Sequence, residues 1–311
     1  MLEMRSAGVC LASILFAAGC GGGGGGGPDT GLGTQAPAKI CPVFLPTSPW
    51  NTDVSGVQID QKLSDGYLAQ MNASRNLHPD FGSIYGIPYQ YADDSVSKTP
   101  VTFEYASESD PGPYPIPANP VIEDGSDAHL LVIQTDECKL YEMWQASGSG
   151  SSWTAGSGAI WDLTTNSTRP QCWTSADAAG LPIWPGLARY EEAKTGTIDH
   201  ALRFTMNNVQ AAFVAPAEHY AGGNTDATLP PFGLHLRLKA STDLSAATPQ
   251  ALVVLTALQK YGMFLADIGS DWYIGGAPDM GWSDDDLGFI KTLTGSDFEV
   301  LPPGPLTNNC D

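Results

Sequence analysis

The side chains able to do chemistry crowd into the second half of the chain, between Asp162 and Asp286. The segment "SADAAGLPIWPGLARYEEAKTGTIDHALRF" holds Asp177, Trp184, Arg189, Glu191, Glu192, Asp199, His200 and Arg203. "GLHLRLKAS" adds His235, Arg237 and Lys239, and "LADIGSDWYIGGAPD" adds Asp267, Asp271, Trp272 and Asp279. Carboxylates beside tryptophans suit a carbohydrate, because sugar C–H faces stack on aromatic rings and hydroxyls bond to charged groups. A glycosidase needs two carboxyls flanking the scissile bond. A polyuronate lyase needs cations to neutralise the uronate and a base such as His or Tyr. On this reading Asp177, Asp267, Asp271 and His200 are the catalytic candidates. Arg203, His235, Arg237, Lys239, Trp184 and Trp272 are the substrate-binding candidates.

Plainer roles compete for the same residues. Asp267 and Asp271 flank "IGS" and could serve turn hydrogen bonds. His200 beside Asp199 could be a satisfied structural histidine, and Trp184 in "LPIWPG" could be core. Asp284, Asp285 and Asp286 sit where a helix start favours negative charge; with Asp279 they are also a calcium candidate. No Gly-x-Ser-x-Gly, His-Glu-x-x-His, P-loop or dinucleotide fingerprint occurs, and no histidine pair has metal-ligand spacing. No cofactor is therefore expected.

"FGLHLRLKAS" alternates with a period of two. Leu234, Leu236 and Leu238 fall on one face, and His235, Arg237 and Lys239 on the other, the pattern of a half-buried strand. The chain has only 14 Lys plus Arg against 34 Asp plus Glu, for a net charge of −20. Three clustered cations could pair with the protein's own carboxylates, meet a protein partner, or line a concave sheet face near Arg203 and one of Asp177, Asp267 or Asp271. In "HALRFTM", His200 and Arg203 fall on opposite strand faces unless a bulge intervenes. So few cations cannot build a nucleic-acid-binding patch.

The elements that must position these residues are mostly strands. Charged residues make up 15% of the chain, while Gly (35), Pro (24), Trp (8) and Tyr (11) are frequent, which favours strands and turns over a helical bundle. "PVTFEYA", "HLLVIQT", "KLYEMWQA", "HALRFTM", "AAFVAP", "GLHLRLKA", "MFLADIG" and "DWYIGG" read as strands, with a hairpin at Asp136-Glu137. Asp60 to Ala73 reads as a short helix and "PGLARYEEA" as a helical turn. Thr248-Pro249 starts a longer helix and Ser283 caps a last short one. The expected fold is all-β: one sandwich of jelly-roll type, residues 41–311, with two or three helices. An α+β domain is the alternative.

The N-terminus reads differently. "MLEMRSAGVCLASILFAAGC" places Arg5 before an apolar run too short to span a bilayer. "FAAGC" resembles a bacterial lipobox. The resemblance implies a signal peptide over residues 1–19, cleavage before Cys20 and lipid on that cysteine, with the protein anchored in the envelope, at the outer membrane of a Gram-negative cell. Gly21 to Gly27 then begin a flexible tether, residues 20–40, spanning roughly 25 Å. Four later cysteines in an exported chain read as two disulfides with three possible connectivities. Cys138–Cys172 and Cys41–Cys310 are expected, the second joining the domain's ends.

"SADAAGLPIWPGL", "DHALRFT", "RLKAS" and "DWYIGGAPD" together resemble a family of secreted bacterial and fungal proteins with no established activity. The resemblance runs from Pro49 to Val300 and implies one shared architecture, without assigning a catalytic residue. The expected function is that of a surface-tethered polysaccharide-active enzyme, a glycoside hydrolase or polysaccharide lyase. The alternatives are a non-catalytic glycan-binding or adhesive lipoprotein and a structural envelope lipoprotein. The expected partners are a glycan and, through the anchor alone, a lipid bilayer.

Overall fold

In the Leu130–Gln134 strand every residue is buried, so both of its faces are covered, and its sequence "LLVIQ" is correspondingly an almost unbroken apolar run. The computed structural model describes residues 41–310. The lipobox, Cys20 and the glycine tether lie outside them. Leu130–Gln134 turns back through Asp136-Glu137 into Lys139–Trp144, with Gln134 opposite Lys139. Ser157–Asp162 joins antiparallel on the far side, and Tyr89–Ala92 joins parallel to Leu130–Gln134, making a four-stranded sheet.

A second, six-stranded sheet has the spatial order His78–Asp80, Tyr273–Gly275, Leu202–Met206, Met263–Ile268, His235–Leu238, Phe298–Val300. It is mixed, with Leu202–Met206 parallel to Met263–Ile268 and His235–Leu238 antiparallel to it. Smaller two- and three-stranded sheets complete a sheet-rich domain with a few helices, as the strand pattern predicts. Four α-helices are present among the described residues, two of them single turns: α1 (Gln61–Leu68), α2 (Tyr190–Ala193), α3 (Pro249–Lys260) and α4 (Asp284–Leu287). Asp60 caps α1 through the Leu63 N–H, and Ser283 caps α4 through the Asp286 N–H. Thr248 occupies the cap position of α3, but its hydroxyl donates to the Asp286 carbonyl at 2.6 Å, tying α3 to α4 instead of capping. The apolar side of α3, with Val254, Leu255 and Leu258 buried, packs against the His235–Leu238 strand of the six-stranded sheet, where Leu236 and Leu238 are buried too.

The register of the Leu202–Met206 pair shifts between Phe204 and Thr205. Arg203 lies opposite Phe264, yet Thr205 lies opposite Asp267 rather than Ala266. Strict alternation would send Asp267 to the face opposite that of Arg203. The extra residue returns it to the same face, the usual consequence of a bulge.

The disulfide pairing differs from the expected one. Cys41 joins Cys138 and Cys172 joins Cys310, with Cα separations of 5.4 and 5.3 Å. The two ends of the domain are fastened to different places. The N-terminal segment runs beside the four-stranded sheet, where Phe44 N–H donates to Leu163 O at 2.9 Å, close to the hairpin that carries Cys138. The C-terminal strand Leu306–Thr307 pairs instead with Gln210–Val214, and both Cys172 and Cys310 bond to the nearby 218–220 segment.

Candidate functional site

Arg203 is the hub. Its side chain is bedded against two glycines: a Cβ at Gly186 would meet Arg203 Cβ at 3.1 Å, and one at Gly275 would meet its Cγ at 3.0 Å. The guanidinium reaches Asp177, whose Oδ2 accepts from Nε at 3.2 Å and lies 3.0 Å from Nη2 as an ion-pair contact. Asp177 is held by its own loop, since the Ser175 hydroxyl accepts from the Asp177 N–H at 2.9 Å and donates to Leu181 O at 2.6 Å. The Asp177 side chain is fully buried and its Oδ1 has no partner. Burial raises its pKa to about 7, outweighing the Arg203 charge, and the nearby Asp267 carboxylate pushes the same way. With Oδ2 accepting from the guanidinium, Oδ1 is the oxygen left to take the proton when the acid is neutral.

Asp267 completes the pair. Its Oδ2 lies 3.8 Å from the same Nη2, and its Oδ1 accepts from the Ile268 N–H at 2.7 Å. The two carboxyls approach one nitrogen at 3.0 and 3.8 Å, so their Oδ2 atoms are at most about 7 Å apart, a bound that admits the roughly 5–5.5 Å spacing of retaining glycosidase pairs. Unlike Asp177, the Asp267 side chain is 30% exposed. Burial raises its pKa too, against the pull of Arg203. Beside this pair lies His129, buried, with Nδ1 2.5 Å from Glu123 Oε2 and Nε2 3.1 Å from Ala176 O. Both partners accept, which favours the doubly protonated ring. Burial opposes that charge, and the Glu123 carboxylate overcomes the opposition and raises the pKa.

Two adjoining cavities, of about 380 and 480 Å³, have Asp127, Asp267 and Ile268 in both linings and make up the two arms of the candidate cleft, with Asp177 in the first and Arg203 in the second. Tyr105, Glu108, Trp144, Asp177 and His219 line the first arm, and Asp80, Tyr85, Glu123, Arg203 and Tyr273 the second. The rim exposes apolar surface at Ile84 (70%), Tyr105 (46%), Ile268 (43%) and Tyr85 (42%). Apolar side chains so open to solvent, gathered around one concavity, mark a binding surface more than a folding requirement.

The structure brings together Asp177, Asp267 and Arg203 from the sequence candidates and puts the others elsewhere. Asp271 lines neither arm; its Oδ1 accepts from Asn207 N–H at 2.9 Å and its Oδ2 from Asn72 Nδ2 at 2.7 Å, which ties two loops together. His200 belongs to a separate buried network with Arg189 (3.2 Å) and Glu192 (3.1 Å), and donates to Ala201 O through Nδ1. Trp184 is core and carries the Arg189 guanidinium 4.5 Å over its ring. Trp272 is also core, with Nε1 donating to Met71 O at 2.7 Å.

The three basic side chains of the "HLRLK" face bond to the protein itself. His235 stacks on Phe264 with centroids 4.0 Å apart and donates to Tyr261 O, and burial lowers its pKa to about 4. Arg237 bonds Glu299 at 2.7 Å and the Val54 carbonyl, and Lys239 donates to Ser296 O at 2.8 Å. Arg237 and Lys239 line neither arm of the cleft. Three of the four calcium candidates, Asp279, Asp284 and Asp286, are engaged as well. Asp284 accepts from the Ser83 N–H and hydroxyl, Asp279 from Gly281 N–H and Asp286 from Gln250 N–H. Among the described residues no group of three His, Cys, Asp or Glu is arranged to hold a metal.

His129, Glu123 and Asp127 come from "EDGSDAH", where three acids and a histidine precede a buried strand; that density was the available signal. Tyr105, Trp144 and Tyr85 carry no local signal, being isolated aromatics in strand and loop. Comparison with family models, with curated proteins and with solved structures finds no match for this chain.

Proposed function

We propose that this protein is a glycoside hydrolase of the cell envelope, tethered through Cys20, and that the cleft around Asp177 and Asp267 is its active site. The observation that carries the reading is the carboxyl pair on one guanidinium: a buried acid with its pKa near 7 and a free Oδ1, beside a solvent-facing carboxyl. Asp177 would protonate the glycosidic oxygen, since it keeps its proton to neutral pH. Asp267 would act on the anomeric carbon, directly or through a water. Arg203 would hold Asp267 ionised and fix the geometry of both. Trp144, Tyr105 and Tyr85 would offer faces on which sugar rings stack.

Hydrolysis is favoured over β-elimination by the charge of the cleft. A lyase must neutralise a uronate carboxylate, and the arginine here already answers to two carboxyls. The test is incubation of the purified protein with a panel of neutral, basic and acidic polysaccharides, read as new reducing ends. Wild type should cleave at least one member and Asp267→Asn should lose at least about 100-fold in rate. Unsaturated products would point to a lyase, and binding without cleavage to a lectin.

A further inference from the structure

We infer that the cleft selects a glycan carrying protonated amines, and that Asp127 and Trp144 form the subsite that reads the amine. The inference rests on the glycan reading of the same cleft and narrows it. Its first ground is what each charged group near the pair is bonded to. Arg203 is taken by Asp177 and Asp267, and the buried His129 by Glu123. His219 Nδ1 donates to Ala178 O at 2.8 Å, and its Nε2 faces Glu108 at 3.7 Å. These basic side chains already face the protein's own acceptors, whereas Asp80, Asp124 and Asp127 face the same space and, among the described residues, form no ion pair with a lysine or arginine. An anionic sugar would meet like charge with no neutralising group, and a neutral one would leave these carboxylates desolvated without return.

The second ground is local. The Trp144 indole Nε1 donates to Asp127 Oδ1 at 3.3 Å, which holds an exposed carboxylate at the edge of an aromatic ring lining the first arm. Tyr105 stands beside that ring, centroids 6.4 Å apart. A sugar stacked on this platform would place a ring substituent at the Asp127 carboxylate, and an ammonium is the substituent that gains both a charge-assisted hydrogen bond and a cation–π contact there. The third ground points into the same arm. Asp177 is 1% exposed, lines that cavity, and leaves Oδ1 unpartnered. Asp127 lines the same cavity, so a ligand that satisfies Oδ1 shares that space with the Asp127 carboxylate.

The test is calorimetric binding of the full chain to four ligands of matched length: a β-1,4-linked glucosamine oligomer, its N-acetylated form, a galacturonate oligomer and a lysine peptide. The pH is set so that the sugar amine is protonated. The glucosamine oligomer should bind about tenfold more tightly than the acetylated one and should weaken about tenfold from low to high salt. Asp127→Asn should erase most of that preference, and Trp144→Ala should weaken both sugars while circular dichroism stays unchanged. Equal affinity for the acetylated form, tighter binding of the uronate, equal binding of the peptide, or no binding of the glucosamine oligomer would each overturn the inference. Cleavage of a neutral glycan without amine preference would overturn it and leave the hydrolase standing. Tight, salt-dependent glucosamine binding without cleavage would do the reverse.

Discussion

Asp177→Asn replaces a buried acid by a group of the same shape that cannot ionise. In the folded protein the Asp177 carboxyl titrates at about 7, against an ordinary value of 3.8. Below 3.8 both folded and unfolded chains hold the proton, so the residue adds no pH dependence. Between 3.8 and about 7 the unfolded chain releases a proton that the folded chain keeps, so stability falls as pH rises through this window. The gap corresponds to about 4 kcal/mol, fully developed above the folded pKa. The substitution should remove this decline. Urea titrations of oxidised wild type and Asp177→Asn at a series of pH values should give curves that meet near the acid end. They should then separate by up to about 4 kcal/mol in the variant's favour toward neutral pH. The rival account is an ion pair in which Arg203 wins and keeps Asp177 ionised throughout. It predicts the opposite sign: the variant would lose stability as pH rises, by about 3 kcal/mol or more for a buried arginine deprived of its partner. Parallel curves, or a variant that grows relatively weaker with pH, would refute the assignment of a proton to Oδ1.

Three further outcomes follow from the fold around the site. Glu142 is fully buried and accepts from Ile183 N–H, Trp184 N–H and Trp161 Nε1 at 2.9 to 3.1 Å. Glu142→Leu should cost about 3 kcal/mol or more by urea denaturation, because three buried donors lose their acceptor; a change under about 1 kcal/mol would contradict it. Arg237→Ala leaves Glu299 and the Val54 carbonyl without their donor and should cost about 3 kcal/mol, whereas Lys239→Ala should stay within about 0.5 kcal/mol and leave activity unaltered. Non-reducing peptide mapping should find Cys172 linked to Cys310, a bridge closing 138 residues of sequence; its removal by paired serine substitution should lower stability by about 4–5 kcal/mol in the chain-entropy account, and a Cys138–Cys172 peptide would contradict the pairing.

Much of the secondary structure could be read from local pattern. Leu130–Gln134, the Asp136-Glu137 hairpin and the Ser283 cap each follow from side-chain period or cap chemistry within a few residues. Asp177, Arg203 and Asp267 could each be picked out by residue type, but not separated by it from Asp271 and His200, which the structure places elsewhere. The relation of Arg203 to Asp267 depends on the register shift at Phe204/Thr205, a property of two paired strands that neither strand's pattern reveals. The disulfides failed for a related reason: nearness of chain ends is a general tendency, and here Leu306–Thr307 follows the Gln210–Val214 strand instead. The "HLRLK" face shows how a clear alternation can be read correctly as a strand and still leave its purpose open. Its cations are where a period of two puts them, but Glu299, Ser296 and the Val54 and Tyr261 carbonyls, which take up their charge and N–H groups, come from distant parts of the chain.

The pH dependence of kcat/KM for glycan cleavage tests the central claim most directly. A general acid titrating at about 7 predicts a falling limb near 7, and the ionisation of Asp267 sets the rising limb of the bell. On an aryl glycoside, whose leaving group needs no proton, Asp177→Asn should retain activity and lose that falling limb, while Asp267→Asn should be inactive on both substrates. A falling limb that persists in Asp177→Asn, full activity in Asp267→Asn, or no cleavage of any glycan by the wild-type protein would contradict the assignment of this cleft as a glycosidase site.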